Sequence, residues 1–322
     1  MSGPFAASLG LWQDRDPLEA LRTAELADEL GYPELWIGEM ATFDAFALAT
    51  AVAQRTERIT LTVGPLAVAV RDPVNLVMGI ASVAALSGRT ANLALGSSSS
   101  MVVEGWHGRR RERTAAHLRE TVQALRPLLA GERGEYDGEL ASTHGYRLRL
   151  PRPGSTVTVA AFGDRAVAVA GELADRMVIN LATVEASARL RERLDAAARS
   201  AGRPRPRLAL WVPACIDPDE QAVAQLARGV VSYLGAPGYA EMFAAAGYSE
   251  LVEYARTIPH PRELLARVPE SLCAAVGLVG TPAEVGERAS AYLAAGVDEL
   301  AIVPATAGDP GGERTLRAIS GA

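Results

Sequence analysis

The chain has 322 residues, of which 49% are hydrophobic and 22% are charged, and its formal net charge is −6. A chain of this length can bury a sizeable core, and its acidic balance argues against nucleic-acid binding, which normally needs a basic face. All 32 basic residues are arginine. The absence of lysine excludes the lysine P-loop, Schiff-base and Ser-x-x-Lys chemistries.

Cysteine and histidine usage argues against structural cross-links and metal. Cys215 and Cys273 are far apart in sequence and the four histidines lack ligand spacing, so neither a disulfide framework nor a zinc site is expected. The longest uncharged stretch, 73–88, contains polar residues and cannot span a bilayer. Because no Lys or Arg precedes Arg15, we expect no signal peptide, which would need a positive n-region. We expect a cytoplasmic protein without a membrane partner.

Short apolar runs alternate with helix-length amphipathic segments, which is the pattern of repeated βα units. Such repetition fits a (β/α)8 TIM barrel with insertions, formed by a single domain over 1–322 with a helical insertion at about 217–272. A doubly wound sheet is the alternative, but no strand precedes Gly-x-Gly-x-x-Gly. Eight strands are predicted, over 6–12, 34–38, 59–63, 91–95, 157–161, 177–180, 207–214 and 298–303.

Functional residues of such barrels follow the carboxyl ends of strands. Glu39 is the first ionisable residue after the second strand and a candidate for hydrogen bonding or acid/base catalysis; the alternative is a loop carboxylate paired with an arginine. His107 lies beyond the fourth strand and is a candidate proton donor near neutral pH. A lone histidine is more often a packing or hydrogen-bonding residue.

Glycine, proline and serine mark the ends of the third and fourth strands. Gly64 and Pro65 interrupt an apolar run, and proline cannot donate to a parallel ladder, so the strand must end or bulge there. Ser97, Ser98 and Ser99 place hydroxyls and amides on one loop, which suits a polar ligand edge or a phosphate. A flexible linker is the alternative for this loop.

The turn after the fifth strand is a candidate phosphate site. It consists of Ala161, Phe162, Gly163, Asp164 and Arg165 and opens a helix, whose first amides and neighbouring guanidinium can hold an anion. Any βα turn can carry glycine, and the common phosphate site of barrels follows strands seven and eight instead.

Several phrases, in their order and spacing, resemble the luciferase-like flavin and deazaflavin oxidoreductase superfamily, particularly its branch that uses coenzyme F420. The resemblance covers nearly the whole chain and rests on the phrases at 24–37, 55–61, 71–74, 86–89, 170–175 and 280–285.

The resemblance implies a (β/α)8 barrel that is commonly a homodimer, and a small-molecule substrate. It implies a cis peptide within a bulge at Gly64–Pro65, which supports the central ring of a tricyclic cofactor. It also implies ring or ribityl contacts from 97–99 and a phosphate contact from 161–165. Glu39 is a candidate cofactor contact as well.

Two departures put the family's proton donor in doubt. Met40 stands where many relatives carry histidine, and Ser99 stands where F420 enzymes acting on a sugar phosphate carry a carboxylate. Glu39 and His107 are the replacement candidates.

Three functions remain open. The first is an F420-dependent oxidoreductase that transfers a hydride between the deazaflavin and a small organic substrate. The second is a reduced-FMN-dependent monooxygenase, and the third is a non-catalytic flavin-binding barrel. Within the helical insertion, the candidate pocket-wall residues, for which core packing is the alternative, are Tyr233, Tyr239 and Phe243.

Overall fold

The computed structural model describes residues 3–321. Its strands are β1 (Phe5–Ser8), β2 (Glu34–Ile37), β3 (Thr60–Ala67), β4 (Ala91–Gly96), β5 (Glu135–Asp137), β6 (Ser142–His144), β7 (Val157–Ala160), β8 (Arg176–Asn180), β9 (Arg207–Ile216), β10 (Leu278–Gly280) and β11 (Glu299–Pro304).

The α-helices are α1 (Glu19–Glu29), α2 (Ala45–Ala53), α3 (Pro73–Ser87), α4 (Thr114–Leu129), α5 (Asp164–Leu173), α6 (Val184–Ser200), α7 (Glu220–Val231), α8 (Tyr239–Phe243), α9 (Ser249–Arg256), α10 (Pro261–Leu265), α11 (Glu270–Val276), α12 (Pro282–Ala294) and α13 (Glu313–Ser320). Two π-helical turns, Met101–Trp106 and Ala244–Tyr248, and a 3₁₀ turn, Pro310–Gly312, complete the regular structure of the described chain.

The parallel strands follow the order β10, β9, β11, β1, β2, β3, β4, β7, β8, and β8 also pairs with β9. Apart from the short β10, this is the cyclic order of eight strands in a (β/α)8 barrel. The predicted fold class is therefore confirmed, and all eight predicted strands are present with shifted ends.

Two strand ends differ from the prediction for local reasons. β1 ends at Ser8 rather than at residue 12, because Leu11 has a positive φ of 47° and the Trp12 indole N–H donates to the carbonyl of Pro304 at 2.9 Å. β3 continues to Ala67 instead of stopping at residue 63. The pairing of β3 with β4 shifts register between Val63 and Leu66 and then resumes, so the strand bulges without ending.

One compact unit comprises residues 33–178 and 193–207. Within it β2, β3, β4, β7 and β8 pair in parallel, and the antiparallel hairpin of β5 and β6 packs on α4. The Glu120 carboxylate on α4 accepts hydrogen bonds from the backbone of Leu140 and Ala141, which fixes the hairpin loop. We call this the second unit.

The other compact unit comprises residues 3–32, 179–192 and 208–321, and we call it the first unit. Within it β10, β9, β11 and β1 pair in parallel. The segment predicted as a helical insertion, 217–272, holds α7 to α10 and the start of α11. No helix among residues 3–321 is both long enough and apolar enough to cross a membrane.

Candidate active site

The bulge in β3 places the Gly64–Pro65 peptide against β4. The bond is cis, as the resemblance implies, and Gly64 has a φ of +116°. A Cβ atom on Gly64 would lie 2.1 Å from the carbonyl oxygen of Ala94, so a larger residue would push the two strands apart. Glycine is therefore required for β3 to keep this path beside β4.

Small residues from three neighbouring strands meet beyond this bulge. A Cβ atom on Gly96 would lie 3.2 Å from the Cβ of Pro65 and 3.5 Å from the Cβ of Ala160. Gly96 is buried at the end of β4, while Pro65 and Ala160 are half-buried. We call these three residues the strand floor, because they form a low surface at the carboxyl ends of β3, β4 and β7.

Glu39 is held by two neighbours rather than left free. Its carboxylate accepts a hydrogen bond from the backbone N–H of Ala45 at 3.1 Å and ion-pairs with Arg71, which also pairs with Asp44. The Arg71 guanidinium lies 5.2 Å from the centroid of the Phe46 ring. This arrangement matches the alternative reading of a loop carboxylate paired with an arginine, and it positions the loop between β2 and α2.

Asp44 caps the amino end of α2. Its carboxylate accepts a hydrogen bond from the backbone N–H of Ala47 at 3.0 Å. Burial raises the pKa of Asp44, but hydrogen bonds from Arg71 and Ala47 outweigh burial and lower it overall. Asp44 therefore stays ionised and keeps its contact with Arg71.

The serine loop after β4 is ordered by local hydrogen bonds. Ser98 has a positive φ of 52°, and its carbonyl accepts a hydrogen bond from Arg111 Nε at 2.8 Å. The Ser99 hydroxyl accepts a hydrogen bond from the backbone N–H of Val102 at 3.3 Å, at the start of the π-helical turn. Ser97 is half-buried. These contacts argue against a flexible linker.

His107 caps the π-helical turn that follows the serines. Its backbone N–H donates to the carbonyl of Val102 at 3.2 Å, and its side chain is exposed. Among residues 3–321 the imidazole makes no hydrogen bond or ion pair with another side chain. His107 is therefore accessible to solvent and to ligands, but it is not oriented by a partner.

The turn after β7 presents the amino end of α5. Gly163 precedes the helix with extended backbone, and within the described chain no side chain caps it. A Cβ atom on Gly163 would meet nothing within 4 Å. Asp164 pairs with Arg193 at 2.6 Å, whereas Ala161 is buried, Phe162 is half-buried and Arg165 is exposed. The first amides of α5 are thus open on one side.

The second unit therefore contains every predicted site residue. The bulge, the floor and the serine loop share neighbouring strand ends, whereas Glu39 is tied to α2 and His107 is exposed. Sequence reasoning missed the roles of Arg71, Arg111 and Arg193. Arg71 is the first residue of the segment 71–74, one of the segments that resemble the family. That resemblance was the one indication in the sequence that Arg71 has a role near Glu39.

In the first unit, Phe243 is fully buried. It packs in the core, as the alternative interpretation expected, whereas Tyr233 and Tyr239 are half-buried.

Comparisons with known proteins agree with this architecture. The chain is 25% identical to the 5,10-methylenetetrahydromethanopterin reductase of Archaeoglobus fulgidus over 307 residues, covering 92% of this chain and 90% of that protein. Among solved structures, it superposes with a TM-score of 0.85 on the coenzyme F420 dependent tetrahydromethanopterin reductase of Methanopyrus kandleri, at 19% identity and covering 99% and 98% of the two chains.

A second similar structure contains FMN. The oxygenating constituent of 3,6-diketocamphane monooxygenase from Pseudomonas putida, in complex with FMN, gives a TM-score of 0.71 at 19% identity, covering 98% and 96% of the two chains. The sequence profile described as luciferase-like monooxygenase matches residues 4–299. Because that match spans most of the chain, the protein belongs to the luciferase-like monooxygenase family of oxidoreductases.

Proposed function

We propose that the protein is a coenzyme F420-dependent oxidoreductase that transfers a hydride between the deazaflavin and a small organic substrate. Family membership and the similarity to F420-dependent reductases support this proposal. The observation that carries it is the strand floor, a low surface of Pro65, Gly96 and Ala160 beside the open amino end of α5.

The residues present fit such a cofactor. Gly96 carries no side chain beside Pro65 and Ala160, where even a Cβ would be crowded, so a flat ring would be able to approach the backbone there closely. Ser97 to Ser99 would contact the ring edge or its side chain, and the amides at the start of α5 would hold a phosphate. The second unit would therefore provide both the apolar support for the ring and the anion site for the phosphate.

Coenzyme F420, when bound, supplies a hydride carried on a ring carbon that reacts poorly with oxygen. The work of the chain is to support one face of the ring, exclude water and fix the substrate in a reactive geometry. Such positioning can supply about 7 to 11 kcal/mol of the activation barrier. The bulge at Gly64 and Pro65 provides the rigid support, because its backbone is packed directly on β4.

Proton transfer is assigned to His107, with Glu39 as the second candidate. His107 is exposed at the end of the π-helical turn that follows the serine loop, so it can exchange a proton with solvent. Glu39 is held by Arg71 and by the amino end of α2, which favours a positioning role. The variants His107→Gln and Glu39→Gln distinguish which of the two residues transfers the proton.

A reduced-FMN monooxygenase is the second candidate, favoured by the fold it shares with the FMN-containing monooxygenase. Both chemistries need a supported ring, so the strand floor fits either one. Purified protein should be assayed anaerobically with reduced F420 and a panel of ketones, imines and enones, and separately with reduced FMN and oxygen. Substrate-dependent oxidation of reduced F420 without oxygen supports the proposal.

Two other outcomes oppose the proposal. Substrate oxygenation that requires reduced FMN and oxygen, with no F420 turnover, assigns the protein to the second candidate. Binding of F420 without turnover of any compound in the panel favours a non-catalytic flavin-binding barrel.

We also propose that the protein is a homodimer that buries the outer face of α2 and α3. These two helices pack together and contain no charged residue, which is unusual for helices facing water. Met78 is 46% exposed and Leu86 is 64% exposed on that face. A second copy of the chain would cover both side chains.

A further inference from the structure

Four arginines lie just before α4 in the second unit, and one of them differs from the others. Arg111 is half-buried, and its Nε donates a hydrogen bond to the main-chain carbonyl of Ser98 at 2.8 Å. The other three are exposed, and within residues 3–321 none of their side chains donates a hydrogen bond to the main chain; they are Arg109, Arg110 and Arg113. Arg111 is therefore the arginine of this group that holds the serine loop.

The backbone of Ser98 depends on such a bond. Its φ of 52° lies in the left-handed region, which residues other than glycine occupy at a free-energy cost. Ser98 and Ser99 are both exposed, so little burial of apolar surface stabilises the loop. A hydrogen bond from a charged guanidinium is stronger than one from a neutral donor and offsets part of this cost.

The guanidinium is attached to backbone that is itself well held. The N–H of the fully buried Val103 donates to the carbonyl of Ser99 at 2.9 Å, and the carbonyl of Val103 accepts a hydrogen bond from the backbone N–H of Arg109 at 2.9 Å. Arg111 lies three residues before α4, and that helix packs on α3 and α5. The bond from Arg111 therefore ties Ser98 to a fixed part of the unit.

We propose that Arg111 is a positioning residue that keeps Ser97 to Ser99 in the conformation that receives the cofactor. Arg111 acts through the Ser98 carbonyl, without a contact of its own to the cofactor. This inference rests on the proposed function, in which the serine loop contacts the ring edge or its side chain. A loop that is ordered before binding loses less conformational freedom when the ligand binds. If the loop were ordered in only about one tenth of the molecules, the apparent Kd would rise about tenfold.

The first measurement is a titration of F420 against folded wild-type protein and its variants. Arg111→Ala should raise the Kd for F420 about tenfold. Arg110→Ala is the matched control, because this neighbouring exposed arginine lies 3.9 Å from Glu112, and its Kd should equal the wild-type value. Arg111→Lys should recover most of the affinity, because Ser98 offers a single carbonyl acceptor and does not need the two-pronged geometry of a guanidinium.

The second measurement is amide hydrogen exchange on the cofactor-free protein. The backbone N–H groups of Val102 and Val103 donate to the hydroxyl and the carbonyl of Ser99 at 3.3 and 2.9 Å. In Arg111→Ala these two amides should exchange about tenfold faster than in wild type, because the loop opens more often. The amide of Leu93 in β4, which donates to the carbonyl of Thr156 at 3.1 Å, should keep its wild-type rate.

Three results would overturn the positioning role and leave the proposed function in place. They are equal Kd values for F420 in wild type and Arg111→Ala, equal exchange of the Val102 and Val103 amides in the two proteins, and faster exchange of the Leu93 amide to the same extent, which indicates general destabilisation. Wild-type protein that does not bind F420 would overturn the proposed function and this inference with it. The two failures are therefore distinguishable.

Discussion

The guanidinium of Arg71 contacts both carboxylate oxygens of Glu39, with its Nε 3.4 Å from Oε2. Arg71 follows β3 and Glu39 follows β2, so this ion pair ties together two loops at the carboxyl ends of adjacent strands. The same guanidinium also holds Asp44 at the start of α2. The pair fixes the backbone around the predicted active site.

Replacing Arg71 tests this positioning role. Arg71→Ala should lower kcat/KM about tenfold, a loss of about 1.4 kcal/mol, because Glu39 and Asp44 lose their common partner. Arg71→Lys should recover only part of the activity, since lysine cannot bridge two carboxylates with the same geometry. The control is Arg22→Ala, which removes an exposed ion pair with Glu313. Steady-state kinetics that match wild type for Arg71→Ala would contradict the positioning role.

His107 should carry the proton in the proposed reaction. His107→Gln is expected to lower kcat about 10²- to 10⁴-fold, the usual contribution of a general acid or base, with little change in cofactor affinity. His144→Gln is a matched control, because His144 is an exposed histidine on the β5–β6 hairpin. If His107→Gln keeps wild-type kcat and Glu39→Gln loses it, the proton passes through Glu39 instead.

A buried ion pair in the second unit should control acid stability. Arg176 donates to the two carboxylate oxygens of Glu34 at 2.9 and 2.6 Å and to Thr158 at 3.1 Å, and its guanidinium carbon lies 4.3 Å from the Trp36 ring centroid. All four residues lie on the strands of the unit, and Trp36 is fully buried. Such an ion pair is costly to break, because the remaining charge stays buried.

Glu34→Gln should therefore lower the free energy of unfolding by about 3 to 5 kcal/mol at neutral pH. Burial raises the pKa of Glu34, but the hydrogen bonds and charge of Arg176 lower it overall. The stabilisation that ionised Glu34 gives to the folded state is therefore complete above the unfolded pKa of about 4.3. It is lost as the pH falls through the folded pKa of Glu34. Urea titrations should find that the difference in the free energy of unfolding between wild type and Glu34→Gln becomes smaller below pH of about 4. A difference in the free energy of unfolding that does not change with pH would contradict this role of the Glu34–Arg176 ion pair.

The uncharged face of α2 and α3 should decide the oligomeric state. Met78→Glu and Leu86→Glu place a charge on this face and should convert the dimer to a folded monomer in analytical ultracentrifugation. Leu150→Glu is the control, since Leu150 is 41% exposed and belongs to neither helix. Wild-type protein that sediments as a monomer would contradict the proposed homodimer.

The sequence predicted the strands well because each one is a short apolar run bounded by turn residues. It did not predict the end of β1, because Leu11 adopts a left-handed conformation that no local pattern requires. The continuation of β3 to Ala67 was equally hidden, since proline normally ends a ladder and only the resumed pairing of Leu66 with Leu95 shows that the strand goes on.

The positions of the candidate site residues at strand ends could be predicted from the sequence, but their hydrogen-bond and ion-pair partners could not. Strand ends located Gly64, the serines and the start of α5, because a barrel gathers such residues at one face. The contacts of Glu39 with Arg71, and of Ser98 with Arg111, join loops that are separated in sequence. Any of the 32 arginines was a possible partner for Glu39, so only the fold selects Arg71.

A binding titration that compares F420 with FMN, on wild-type protein and on Gly96→Val, tests most directly whether the strand floor supports the F420 ring. Wild-type protein should bind F420 at least about tenfold more tightly than FMN. Gly96→Val should lose F420 binding, because the valine side chain would cover the strand floor. Gly286→Val, at a position where an added Cβ meets no atom within 4 Å, should bind F420 as wild type does. Tighter binding of FMN, or wild-type F420 affinity in a folded Gly96→Val variant, would contradict the account.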